Sequence, residues 1–259
     1  MEQLATVVRE WTGAALDLLF PPCCLVCGEV GGGARPSLCD ACWGSIVRLA
    51  PPWCVVCGRP FSAFDGPRAG IDRPDGLVDV CGACRRRRPK FTYARSAALY
   101  EGAMREALHA FKFSGKTALA GPLGDLLVEA CGAGLPLPPD LVVPVPLHRA
   151  RERERGFNQA ALLARRVARG LDVPFGGRVV RRVRPTRAQA DLSGAERRKN
   201  VRGAFAARAG AAPCGRHVLL IDDVLTTGTT VSECARVLID EGALTVGVLT
   251  VARVAETAI

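Results

Sequence analysis

Eight of the 12 cysteines stand in four CxxC pairs: Cys24/Cys27, Cys39/Cys42, Cys54/Cys57 and Cys81/Cys84. CLVCG at 24–28 recurs as CVVCG at 54–58, thirty residues later, so the segment reads as a duplication. The glycine after each second cysteine, Gly28 and Gly58, suits a tight knuckle turn that needs positive φ. Two thiolates from each of two knuckles complete a tetrahedral zinc shell, and an all-sulfur shell leaves no open position for chemistry. The expectation is two structural Zn2+ ions. The repeat favours sequential pairing, Cys24, Cys27, Cys39 and Cys42 on one ion and Cys54, Cys57, Cys81 and Cys84 on the other; an interleaved, cross-braced pairing is the alternative. A dithiol redox role needs a thioredoxin-like βαβ context, which this segment lacks.

Metal rather than disulfide fits the compartment. The N-terminus has no basic n-region, and Glu2, Arg9, Glu10 and Asp17 interrupt its apolar positions, so it does not read as a signal peptide. No apolar stretch is long enough for a membrane span. A reducing, cytoplasmic setting is expected, where thiols persist. Cys23 is a spare neighbour able to replace Cys24, and Cys131, Cys214 and Cys234 lie in apolar stretches expected to be core. The net charge of +10 favours phosphate-bearing partners: nucleotides, nucleic acid or an anionic membrane surface.

Three regions follow in order. Residues 1–22 carry an amphipathic helix over 2–19, with Leu4, Val7, Trp11, Ala15 and Leu18 at helical spacing and Pro21 and Pro22 as its stop. Its apolar face is expected to dock on the next module; a membrane-surface role disagrees with a polar face poor in Lys and Arg. Residues 23–90 are the Cys-, Gly- and Pro-rich module. Residues 91–259 are globular. There ARSAALY (94–100) reads as a strand, EGAMREALHAF and TALAGPLGDLLVEAC as helices, and strands LVVPVP (141–146), RVVRRV (178–183), VLLI (218–221) and TVGVLTVARV (245–254) alternate with helices over 157–170 and 229–242. That alternation predicts an α/β fold, a mostly parallel sheet with helices on both faces, and a ligand at the carboxyl ends of the strands.

VLLIDDVLTTGTT (218–230) sits where such a ligand would be. VLLI has the composition of a strand buried on both faces, after which the chain is expected to leave the sheet and present Asp222 and Asp223. Adjacent carboxylates accept from the two hydroxyls of a ribose, or help hold a divalent cation. Thr226, Thr227, Gly228, Thr229 and Thr230 lead into a helix whose first N–H groups, with the hydroxyls, make an anion cradle. Diol at one end and phosphate at the other describe a ribose 5-phosphate. SGKT at 114–117 is no Walker loop: Ala110 stands where that motif needs glycine, and the preceding residues read as a helix.

The thirteen residues resemble the phosphoribosyl-pyrophosphate (PRPP) motif of type I phosphoribosyltransferases. VVPVPLHRARERERGFNQA (142–160), RPTRAQADLSGAERRKNVRGAF (184–205) and LYEGAMREALHAFKFSGK, with the Cys-rich N-terminus, resemble the ComF family, linked to DNA uptake in natural transformation. The resemblance implies the type I phosphoribosyltransferase fold behind a double zinc ribbon. It implies Mg2+ with PRPP, transfer of the phosphoribosyl group with release of pyrophosphate, and Asp222 and Asp223 as catalytic groups. It also places Val145, Pro146, Leu147, His148 and Arg149 in a pyrophosphate-binding loop that works through backbone N–H groups. The segment from Arg178 to Arg202, with nine basic and two acidic residues, resembles the hood that closes over PRPP.

A non-enzymatic module for single-stranded DNA, regulated by PRPP or a nucleotide, is the alternative. RRRRPKFTYAR (85–95) sets Arg85, Arg86, Arg87, Arg88 and Lys90 beside Phe91 and Tyr93, and HRARERERGF adds Phe157. Aromatics among cations suit single strands, whose bases stack while their phosphates meet the charges.

Overall fold

The computed structural model describes residues 22–30, 35, 37–61, 80–132, 134–186, 194–208, 210 and 213–255. The helix expected over 2–19 lies outside them. No helix of the described residues is long and apolar enough to cross a membrane.

Among the described residues six strands are present: β1 (Tyr93–Leu99), β2 (Leu141–Pro144), β3 (Val180–Arg182), β4 (Phe205–Ala207), β5 (His217–Leu225) and β6 (Thr245–Arg253). Four form one sheet in the order β1-β6-β5-β2, with every pair parallel. The strands are largely apolar because both faces are covered. Their period of two sorts them into two cores. Val142, Leu219, Ile221, Leu249 and Val251 point to one; Leu141, Val143, Val218, Leu220, Val246 and Val248 point to the other.

Eight helices surround the strands among the described residues: α1 (Asp40–Gly44), α2 (Gly82–Arg86), α3 (Gly102–Phe113), α4 (Ala120–Gly132), α5 (Arg149–Arg155), α6 (Gln159–Gly170), α7 (Gly194–Val201) and α8 (Thr229–Asp240). Met104, Leu108 and Phe111 of α3, Leu123 and Leu127 of α4, and Leu163 and Val167 of α6 fill the first core. Val231, Cys234 and Leu238 of α8 fill the second. Burying each such Leu or Phe side chain contributes roughly 1.5–3 kcal/mol, so helices on both faces are what hold this sheet.

The Cys-rich module is built onto the β1 edge. Leu49 donates to the Ala97 carbonyl (3.0 Å), Leu99 to that of Val47 (2.9 Å) and Ala94 to that of Val56 (2.7 Å). These bonds occupy polar groups that an open sheet edge would leave exposed. The two halves of the duplication then part company. Cys24, Leu38, Trp43 and Ile46 join the first core, whereas Cys54, Val56, Cys81 and Cys84 join the second.

Three sequence expectations change. RVVRRV supplies β3, but β3 pairs antiparallel with β4, away from the parallel sheet; three-residue strands pair locally. The central strand does not end at Ile221. It continues to Leu225, because nine-residue β6 supplies partners, with Asp222 opposite Thr250 and Val224 opposite Ala252. Cys131 and Cys234 are buried as expected, but Cys214 is exposed and so is Cys23, because Cys214 falls in the turn before β5 and not in an element. Lys116 of SGKT donates to the Leu25 carbonyl at 3.0 Å, a contact with the first knuckle.

Candidate functional site

The eight cysteines gather sequentially, Cys24, Cys27, Cys39 and Cys42 in one cluster and Cys54, Cys57, Cys81 and Cys84 in the other, with each set of sulfurs within 4.8 Å of one another. Cys27 and Cys39 Sγ are 3.7 Å apart, as are Cys57 and Cys81 Sγ. A tetrahedron with Zn–S bonds of about 2.3 Å has edges of about 3.8 Å, so the sulfurs fit structural zinc. The thirty-residue repeat is visible atom by atom: Cys24 N–H donates to Glu29 O and Cys54 N–H to Arg59 O, and bridges join Cys23 to Val30 and Trp53 to Pro60. Gly28 and Gly58 both have positive φ (81° and 69°). Backbone N–H groups of Cys42, Cys57 and Cys81 aim at sulfur (3.3–3.5 Å), and Cys39 and Cys81 begin α1 and α2.

The two aspartates stand in strand geometry, so they project to opposite faces. Asp223 faces α3. Lys112 Nζ lies 3.0 Å from Asp223 Oδ1, and both side chains are largely buried. Asp223 Oδ2 is also buried but has no hydrogen-bond partner among the described residues. Asp222 faces the α8 side, within electrostatic reach of Arg182 and Cys234. Burial pushes its carboxyl up to about 7, and the Asp223 charge adds to the shift.

Both carboxylates line one cavity of about 630 Å³ at the carboxyl end of the sheet, together with Thr226, Gly228, Thr229 and Thr230. Gly228 is the N-cap of α8 in the left-handed region, φ 72° and ψ 7°. A Cβ there would meet only ordinary contacts, the nearest at 3.6 Å from Phe91, so the backbone angle is what demands glycine. Thr227 lines a second cleft instead, although its hydroxyl meets that of Thr229 at 2.8 Å.

The loop after β2 closes the other side. Asn158 caps α6 through Ala160 and Ala161 N–H and donates to the Val145 carbonyl at 3.2 Å, tying loop to helix. Val145, Leu147 and His148 line the cavity; Pro146 and Arg149 do not. Val145 N–H is spent on the Ile221 carbonyl at 2.9 Å, and Pro146 has no N–H. Among the five loop residues, the expected anion donors at the cavity therefore reduce to Leu147 and His148.

Residues not singled out from sequence add to the cavity, Tyr100, Lys112, Phe113, Arg155 and Gln159, together with Arg182 of the expected hood. Arg182 is largely enclosed, its guanidinium 5.3 Å over the Phe205 ring and bonded to Thr186. Burial lowers its pKa. Nothing local marks Lys112, which reaches Asp223 only through the packing of α3.

The expected stacking surface does not form. Phe91 and Tyr93 are each 4% exposed; Phe91 sits in the core beneath Gly228, and the Tyr93 hydroxyl donates to the Leu137 carbonyl. Both anchor the start of β1, so their faces are closed to bases. Phe157 is half-buried against Phe111, ring centroids 5.7 Å apart. Arg85 folds back onto the Val80 carbonyl at 2.8 Å. Arg86, Arg87, Arg88 and Lys90 do converge, with Lys199 and Arg202 of the expected hood, on a cleft of about 1130 Å³ between the second knuckle pair and α8. Within that hood, Arg187 and the rest of 187–193 lie outside the described residues.

Residues 15–85 match the model of the double zinc ribbon domain, and residues 158–259 match that of the phosphoribosyl transferase domain. Fold and matches together define a phosphoribosyltransferase-type α/β domain joined to a double zinc ribbon. DNA utilization protein YhgH of Salmonella typhi is 36% identical over 188 residues, which cover 70% of this chain and 81% of that protein. Competence protein F of Haemophilus influenzae is 34% identical over 165 residues, 61% of this chain and 71% of that protein. Competence protein ComFC of Bacillus subtilis is 30% identical over 176 residues, 66% of this chain and 70% of that protein. The chain belongs to the ComF family.

Proposed function

We propose that the 630 Å³ cavity binds PRPP or a related phosphorylated ribose together with Mg2+, and that the chain displaces pyrophosphate from C1. The observation that carries this reading is the orphaned, buried Oδ2 of Asp223, a residue that lines a cavity walled by the threonine loop. A buried carboxylate oxygen without a partner costs about 1–3 kcal/mol or more, which a ligand hydroxyl or a hard cation would offset. Asp222 and Asp223 are oxygen donors of the kind Mg2+ accepts. Bound there, Mg2+ supplies charge neutralisation for the leaving pyrophosphate. The chain's own groups do the rest. Asp222 and Asp223 accept from the ribose hydroxyls. Thr226, Gly228, Thr229 and Thr230 hold the 5-phosphate at the start of α8. The Leu147 and His148 N–H groups serve the pyrophosphate. The C1–O bond to pyrophosphate breaks with its electron pair, and C1 bonds to an acceptor that gives up its proton.

Calorimetry with PRPP, with and without Mg2+, tests the reading. Asp223→Ala should weaken binding ~10-fold or more, since a charge-assisted hydrogen bond contributes roughly 1.5–3 kcal/mol. Equal affinities place the site elsewhere. Pyrophosphate release reads turnover directly.

A second reading rests on the cationic cleft. Arg86, Arg87, Arg88, Lys90, Lys199 and Arg202 line it, a charge pattern suited to a single-stranded nucleic-acid backbone. The names of the relatives, a DNA utilization protein and competence proteins, favour a role with DNA; DNA uptake in a cytoplasmic setting, with DNA-uptake proteins as partners, is the context this reading proposes. Affinity for single-stranded DNA should fall steeply with salt, and each lost phosphate contact should lower the slope by roughly 0.7. If no oligonucleotide binds at low salt, the cleft is an ordinary solvated face.

A further inference from the structure

Phe113 ends α3 and is 64% exposed, yet it lines the same cavity as Asp222 and Asp223. A single exposed ring needs no explanation on its own. Phe113 differs in how firmly its neighbours hold it at the rim. The Arg155 guanidinium lies over the ring, 5.5 Å from its centroid, and the His109 ring is tilted against it at 4.8 Å. Arg155 is itself held by Gln159 Oε1 at 2.6 Å. The preceding residue, Lys112, reaches Asp223 at 3.0 Å, so the last turn of α3 is pinned to the carboxylate floor. A ring and a guanidinium plane, both fixed and both open to the cavity, offer a planar ligand group a place to stack at little entropic cost.

The volume agrees. About 630 Å³ falls in the range of roughly 300–1,000 Å³ that encloses a drug-sized ligand. The threonine loop and the two carboxylates account for the phosphate and ribose portions; Phe113 and Arg155 line the same cavity and are left for the rest of the ligand. α3 also lies outside residues 158–259, the part that matches the phosphoribosyl transferase domain. Arg155 lies outside it too, so both shelf residues come from segments that precede the matched part.

We infer that Phe113 and Arg155 form a stacking shelf for the nucleobase of a nucleoside 5′-phosphate whose ribose and phosphate occupy the Asp222, Asp223 and threonine-loop positions. The inference rests on the phosphoribosyl reading of the cavity and extends it to a substrate or product class. The chain then binds nucleoside 5′-monophosphates more tightly than ribose 5-phosphate.

The test is calorimetry of AMP, GMP, CMP, UMP and ribose 5-phosphate with the full chain, its Phe113→Ala variant and its Asp223→Ala variant. Phe113→Ala should weaken at least one nucleotide roughly tenfold, the scale of one base stacked on an aromatic, and leave ribose 5-phosphate unchanged. Asp223→Ala should weaken both classes. Phe113→Trp supplies an independent readout: its added fluorescence over wild type should be quenched by the nucleotide and not by ribose 5-phosphate. The shelf is overturned if ribose 5-phosphate binds and no nucleotide binds better, or if Phe113→Ala weakens both ligand classes equally. If neither class binds the wild-type chain, the phosphoribosyl reading itself fails and takes the shelf with it.

Discussion

Arg253 Nη1 donates to the Cys57 carbonyl at 2.7 Å, and its Nη2 lies 3.9 Å from Cys57 Sγ. Arg253 is the last residue of β6 and is 4% exposed; Cys57 belongs to the second sulfur cluster. The two parts of the chain thus share a buried cation. Nearby, Lys90 N–H donates to Ser232 Oγ at 3.0 Å, and Phe91 lies beneath Gly228, so the second cluster also supports the start of α8. The first cluster packs against the opposite face of the sheet.

Metal loss should therefore have different consequences at the two clusters. Protein purified without added zinc should contain two zinc ions per chain. Cys54→Ser should impair PRPP binding more than Cys24→Ser does, because only the second cluster is joined to the threonine-loop side. Metal analysis paired with calorimetry reads both effects. One ion per chain in the wild type would contradict the two-cluster assignment.

Lys112→Met should destabilise the chain by on the order of 3 kcal/mol near neutral pH. It leaves Asp223 buried without its cation, and removing one partner of a buried pair costs about 3–5 kcal/mol. The slight exposure of Lys112, 18% of its side chain, holds the figure to the lower end. Asp223→Asn in the same background should recover part of the loss. Urea unfolding of the two variants measures it.

Asp222 should titrate far above an ordinary carboxylate. Its pKa is raised from 3.8 to about 7, chiefly by burial. The folded state therefore favours the protonated form. That contribution to stability is complete below about 4 and is lost as pH rises through about 7. A ligand that needs the ionised carboxylate should bind more tightly as pH rises across the same window. Carboxyl chemical shifts of wild type and Asp222→Asn locate the titration; a midpoint near 4 would contradict the buried placement.

Gly58→Ala should destabilise the second knuckle much more than Gly28→Ala destabilises the first. Both glycines have positive φ, which costs alanine roughly 1 kcal/mol. A Cβ on Gly58 would also lie 2.4 Å from the Ala94 carbonyl oxygen, whereas nothing lies within 4 Å of one on Gly28. Backbone cannot yield as a side chain does. Thermal unfolding of the two variants gives the comparison.

Local pattern determined a great deal. Eight cysteines at CxxC spacing specify two tetrathiolate clusters, because sulfur chemistry and knuckle geometry act within a few residues. The thirty-residue repeat pairs them in order. Alternation of apolar strands and amphipathic helices specifies a parallel sheet covered on both faces, and the polar run after VLLI marks its ligand end. What the pattern missed depends on partners distant in sequence. Asp222 and Asp223 look like loop residues, but β6 is long enough to keep them in the sheet and so turns them to opposite faces. Phe91 and Tyr93 look like stacking residues among arginines, yet Phe91 packs in the second core beneath Gly228 and Tyr93 against Gly247 with its hydroxyl on the Leu137 carbonyl, so both are buried. Lys112 and Phe113 enter the cavity only because α3 packs against the sheet in the first core. Residue type and spacing set which chemistry is available; long-range strand pairing and helix packing decide which side chains meet, because those contacts join positions that no short stretch of sequence contains.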